Sequence, residues 1–220
     1  TVTSQDIENK NYAVKMIYVG KALDILKLNY KTRSSLICNN NESFTYFSDK
    51  ISHLIYASYA QFLDKYGQWH MANSFYLKAL NSCRDSVFAD SIALANFYYY
   101  VAQNYKTLCE KEPGNFYFQL GFDFIKDAIK MVPNNGSTKY DYIYKLYMTY
   151  LKNSFDENIL INNTDFFPQE IVARNRIQYD AFKTEWNKYK DQISPELIDN
   201  TYDPDEINKL IKRIDKKINI

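Results

Sequence analysis

Five glycines and five prolines in a chain of 220 residues leave few positions at which the backbone can reverse direction. A sandwich or barrel needs a turn roughly every 8 to 12 residues, with turn-forming residues to match. Their scarcity calls instead for long helices, and no stretch of the chain alternates apolar and polar residues as a strand would. With 46% hydrophobic residues and 17% aromatics there is ample material for a sizeable core. The expected fold class is all-α, an antiparallel helical array.

Apolar residues recur at steps of three and four, the spacing that lines up one face of a helix. Met16, Val19, Leu23, Leu26 and Tyr30 define a first helix from Asp6 to about Lys31. Phe44, Phe47, Ile51, Ile55 and Phe62 predict a second, running to Lys65 and broken by Gly67. Trp69, Ala72, Tyr76, Ala79 and Cys83 form a third, antiparallel to it, followed by an N-cap at Arg84-Asp85-Ser86. Phe88, Ile92, Ala95, Tyr99, Ala102 and Cys109 carry a fourth to Glu112, where Pro113-Gly114 stops it. Phe118, Phe122, Ile125, Ile129 and Val132 make a fifth that Pro133 closes. A sixth runs from Tyr140 through Ile143, Tyr147 and Tyr150 to about Phe155, and a polar, Asn-rich loop follows. Ile171, Ile177, Phe182, Trp186 and Tyr189 predict a seventh after Pro168. Asp203-Pro204-Asp205-Glu206 opens the last with an N-cap Asp, Pro at N1 and Glu at N3.

That last helix joins Ile207, Ile211, Ile214 and Ile218 to five basic residues, the pattern of an amphipathic helix packed on the body of the protein. A formal net charge of +1 offers no global field for a nucleic acid. No stretch approaches the ~20 apolar residues of a membrane span. Cys38, Cys83 and Cys109 are odd in number and far apart, which fits neither a disulfide framework nor a zinc site and points to a reducing, cytoplasmic compartment. The sequons at Asn41, Asn135 and Asn162 are what an Asn-rich chain produces by chance.

Phosphate-cradling glycine loops and helical metal pairs are missing from the sequence. The two histidines, His53 and His70, fall in different helices. The expectation is therefore a non-enzymatic chain with no cofactor and no metal. His53 reads as a groove residue or as a polar residue at a helix interface, and Tyr98, Tyr99 and Tyr100 as core, since no Lys or Arg interleaves them as in a base-stacking platform.

Two helical-scaffold families are similar in sequence. From His53 to Arg84 the chain resembles a tetratricopeptide repeat, through Tyr59, Ala60, Gly67, Ala72, Tyr76, Ala79 and Leu80. The next comparable residue, Ala128, comes too late for a period of roughly 34 residues, so the likeness covers one unit. The second resemblance, to the 14-3-3 family, spans roughly half the chain. SIALANFYYYVAQN resembles G-L-A-L-N-x-S-V-F-Y-Y-E-I, and FSDKISHLIYASYAQ parallels F-Y-L-K-M-K-G-D-Y-Y-R-Y-L-A-E. FIKDAIKMVPNNGSTKYDYIYKLYMTYLKN aligns without a gap to a third family segment, sharing Ala128, Ile129, Tyr140 and Asn153.

The 14-3-3 resemblance implies an adaptor that binds phosphoserine or phosphothreonine segments of a partner protein in a helical groove. It places Asn96 and Asn153 on asparagines that hold the peptide main chain, and Lys50 on a groove lysine. His53 and Lys145 fall on the same polar stripes. The family's phosphate-clamping Arg-Tyr pair is replaced by Ala57 and Ser58. The first helix resembles the family's fourth, which implies that three preceding helices are missing and leaves oligomeric state open. The expected organisation is a 14-3-3-like array over residues 1–158 and a two-helix extension over 159–220; the chain beyond Asn153, with Ser154 or Thr164 as phosphosites, is a candidate self-ligand. A tetratricopeptide-type scaffold indifferent to phosphate is the alternative.

Overall fold

The computed structural model describes residues 41–85, 91–113, 116–133, 138–162, 166–194 and 203–218, with side chains in the first helix from Ser52 onward. The expected helix from Asp6 to Lys31, the Ser86 cap, Gly114, Asn135 and Thr164 lie outside the described residues. Among the described residues the fold is all-helical without strands. Its α-helices are α1 (Asn41–Lys65), α2 (Trp69–Arg84), α3 (Ser91–Lys111), α4 (Tyr117–Met131), α5 (Asp141–Lys152), α6 (Glu157–Ile161), α7 (Gln169–Tyr189) and α8 (Pro204–Ile218). The chain divides into two compact units, Thr1–Phe97 and Tyr98–Ile220.

In the first unit α1 and α2 form an antiparallel hairpin: Ser52 and Ser82 share a hydroxyl hydrogen bond of 2.6 Å, while Tyr59 meets Phe75 edge-on at 4.8 Å near the turn. Small side chains let the two helices approach closely, with Ala57, Ala60, Ala72 and Ala79 all buried beside Leu63, Leu80 and Cys83. Gly67 ends α1 as expected. Its φ of 75° is the left-handed conformation that favours glycine. Gly67 N–H donates to Asp64 O at 3.0 Å and Gln68 N–H to Leu63 O at 2.9 Å, the paired bonds of a Schellman motif.

The second unit is built around α5, which buries Ile143, Tyr144, Leu146, Met148, Tyr150 and Leu151 and so faces neighbours on several sides. Tyr98 meets Phe124 and Tyr105 meets Tyr117, so α3 and α4 run antiparallel. Phe118 meets Tyr150 and Phe122 meets Tyr147, which makes α4 and α5 antiparallel as well. Pro133 closes α4 through its neighbour: Val132 is extended at φ −80°, ψ 129°, as the residue before a proline is driven to be. On another side of α5, Tyr144 stacks on Tyr189 of α7 at 4.7 Å.

Two expectations need correcting. The Asn-rich loop after the sixth predicted helix contains α6, capped by Asp156, whose carboxylate accepts from Asn158 N–H at 2.8 Å. Five residues are too few to show a period, and of its apolar residues Ile159, Leu160 and Ile161 it is Leu160 that is buried. In α7, Ile177 is 70% exposed; the buried stripe is Val172, Asn175, Tyr179, Phe182, Trp186 and Tyr189. Asn175 belongs there because its amide is satisfied at both ends, accepting from Asp156 N–H at 2.7 Å and donating to Ile171 O at 2.9 Å.

The last helix is packed on the body as the sequence predicts. Asp203 caps α8 by accepting from Asp205 N–H at 2.8 Å, and Ile207, Leu210 and Ile214 are buried. Along the α7 interface Trp186 Nε1 donates to Asn208 at 3.0 Å, and Tyr179 donates to Asp215 at 2.8 Å. Burial of Asp215 acts to raise its pKa, but the Lys183 and Tyr179 hydrogen bonds and the Lys183 charge outweigh it and hold the carboxyl below its usual range. No helix among the described residues is long and apolar enough to cross a membrane.

Candidate functional site

The five residues that the 14-3-3 resemblance singles out fall in both units, and each unit positions its own. In the first, Lys50 lies in α1, its side chain outside the described residues. His53, one turn on, is half-buried and packs edge-on against Phe97 at 5.5 Å. Its Nδ1 is buried without a hydrogen-bond partner among the described residues. Burial lowers its pKa, which favours the neutral ring. Asn96 is half-buried on α3. Of the two residues that the resemblance sets against an Arg-Tyr pair, Ala57 is 6% exposed and Ser58 is exposed.

In the second unit Lys145, Thr149 and Asn153 recur every four residues and share one face of α5. Thr149 Oγ1 donates back to Lys145 O at 2.9 Å, which fixes the hydroxyl. Asn153 is the C-cap of α5. Its backbone N–H donates to Thr149 O at 3.1 Å, while its exposed side-chain amide has no hydrogen-bond partner among the described residues.

Asn153 is one of the residues that line a half-open cleft of about 130 Å³ formed by α3, α4 and α5. Thr149 and Asn153 border it from α5, with Phe118 from α4 and Lys106, Cys109 and Glu110 from α3. Tyr150 completes the lining. Its hydroxyl donates to Ala102 O at 2.7 Å, and burial, with smaller contributions from Cys109, Glu110 and Tyr105, pushes its pKa far up, so it stays protonated and anchored. Burial and the neighbouring Glu110 carboxylate push the Cys109 thiol up too, so it lines the cleft as a weakly polar thiol rather than a reactive thiolate. Lys106 and Glu110 pair at 2.6 Å, cancelling each other's charge at the rim.

The structure thus brings Lys145 and Asn153 onto one helix face and adds Lys106, Glu110, Phe118 and Tyr150, which the sequence did not single out as site residues. Phe118 and Tyr150 carry the helical core period, so the sequence reads them as core; lining a cleft depends on the separation of three helices. Among the described residues no group of His, Cys, Asp and Glu is placed to hold a metal ion. No family model, curated protein or solved structure matches this chain.

Proposed function

We propose that the chain is a non-enzymatic adaptor that holds an extended segment of a partner protein against its helices, with the Asn153 amide hydrogen-bonded to the segment's main chain. The observation that carries this reading is the exposed, unengaged Asn153 amide beside an apolar-floored cleft. An amide both donates and accepts, as a peptide unit does, and an apolar floor next to it gives side-chain burial to accompany main-chain bonding.

The resemblance to 14-3-3 proteins adds that the segment carries phosphoserine or phosphothreonine, with Lys50 and Lys145 supplying positive charge and Asn96 and His53 further groove contacts. A tetratricopeptide-type scaffold that ignores phosphate is the second reading. It is favoured by the Lys106–Glu110 pair, which leaves the rim of the cleft without net charge to attract a phosphate.

Fluorescence polarisation of the whole chain against a phosphoserine and phosphothreonine peptide pool and its unphosphorylated twin tests both. The expected result is binding that Asn153→Ala weakens about three- to tenfold, the worth of one or two hydrogen bonds. Preference for the phosphorylated pool selects the 14-3-3-like adaptor, and equal binding selects the phosphate-indifferent scaffold. If neither pool binds, the adaptor reading fails.

A further inference from the structure

The cleft beside Asn153 has a size and a lining that define what enters it. Its volume of about 130 Å³ is close to the ~150 Å³ of an apolar cavity that admits benzene, so it takes one side chain of leucine, isoleucine or methionine size. The lining includes the Phe118 and Tyr150 rings, whose centroids lie 5.4 Å apart, and the Cys109 thiol, which burial keeps protonated. The Tyr150 hydroxyl is occupied by Ala102 O and offers an incoming group little.

Charge narrows the choice further. Lys106 and Glu110 pair at 2.6 Å and together carry no net charge, so the lining offers no field of one sign to draw in a charged guest. An uncharged aliphatic guest leaves that pair intact. Asn153 is exposed and belongs to the lining, and its amide can both donate to and accept from the peptide group flanking such a side chain, which distinguishes a peptide residue from a free hydrocarbon.

We infer that this cleft is a specificity subsite for a single uncharged aliphatic side chain of the bound segment. The inference rests on the segment-binding reading above and adds the chemical identity of one of the segment's residues. The phosphate, where the segment carries one, binds elsewhere.

A positional-scanning peptide library, fixing one position at a time to Leu, Met, Phe, Ala, Asp or Lys, tests it by fluorescence polarisation on the whole chain. One position is expected to prefer Leu or Met over Ala, Asp and Lys by about tenfold, the gain from burying part of an aliphatic side chain. Thr149→Met, which extends an unbranched side chain into the cleft from a half-buried helix position, should erase that preference while circular dichroism stays unchanged. Phe118→Ala, which enlarges the cleft, should shift the preference toward Phe and guards against a Thr149 variant that fails to fold. Binding without aliphatic selection at any position, or selection that survives both substitutions, overturns the subsite while leaving the adaptor standing. Absence of binding to the whole library overturns both.

Discussion

An added Cβ at Gly121 would come within 2.7 Å of the Tyr150 ring carbon, closer still to its hydroxyl oxygen, and within 2.9 Å of Tyr105 Cβ. Gly121 therefore lets α4 lie against α3 and α5 together, and Tyr150 cannot swing aside without giving up Ala102 O. An alanine in an open helix would raise stability by roughly 1 kcal/mol over glycine. Here the overlap decides the sign, and Gly121→Ala is expected to destabilise by about 1–3 kcal/mol in urea unfolding. The sequence shows a glycine inside a helical pattern but not why it is there. His53 is similar: its ring position against Phe97 and its Nδ1, buried without a partner among the described residues, come from packing, which no spacing along α1 reveals.

Helix ends were legible wherever the chain carries its own stop or start. Gly67 ends α1, Pro133 ends α4 through Val132, and Asp203-Pro204 opens α8, each by a constraint local to a few residues. The α8 cap is worth testing because that helix holds its place with three buried apolar side chains over fifteen residues. Asp203→Ala leaves Asp205 N–H without its partner and is expected to cost about 1 kcal/mol, seen as a lower urea midpoint with an unchanged slope. The same local logic misses α6, whose Asp156 cap is ordinary but whose five residues are stable through contact with α7 and α8. It misjudges Ile177 too, because apolar character does not say which of several possible faces a long helix turns inward.

At the scale of the whole molecule the abundance of tyrosine becomes a stability property. Tyr142 and Tyr147 have pKa values raised from 10.0 to about 12, in both cases first by burial and then by neighbouring negative charge or phenols. Tyr150 and Tyr179 are pushed further in the same direction. A folded-state pKa above the unfolded one favours the folded protein while the phenol is protonated. That stabilisation is complete below pH ~10 and drains away as pH rises through about 12. In an alkaline titration the exposed phenols should ionise first with helix content intact, and the remainder together with loss of helical circular dichroism. A single, early ionisation of all tyrosines with the helices preserved would contradict this packing.

What the sequence by itself determined is the helical class, most helix boundaries among the described residues and the Gly67 and Asp203 end signals, because 3.6-residue periodicity and Gly, Pro and Asp signals act within one or two turns of chain. What the tertiary structure alone decided is which faces of α5 and α7 are buried, how Gly121 sets three helices together, and that the Asn153 amide borders a cleft with Lys106, Glu110, Phe118 and Tyr150. Those features depend on distances between residues tens of positions apart, and such distances are fixed only when side chains from different helices compete for the same space.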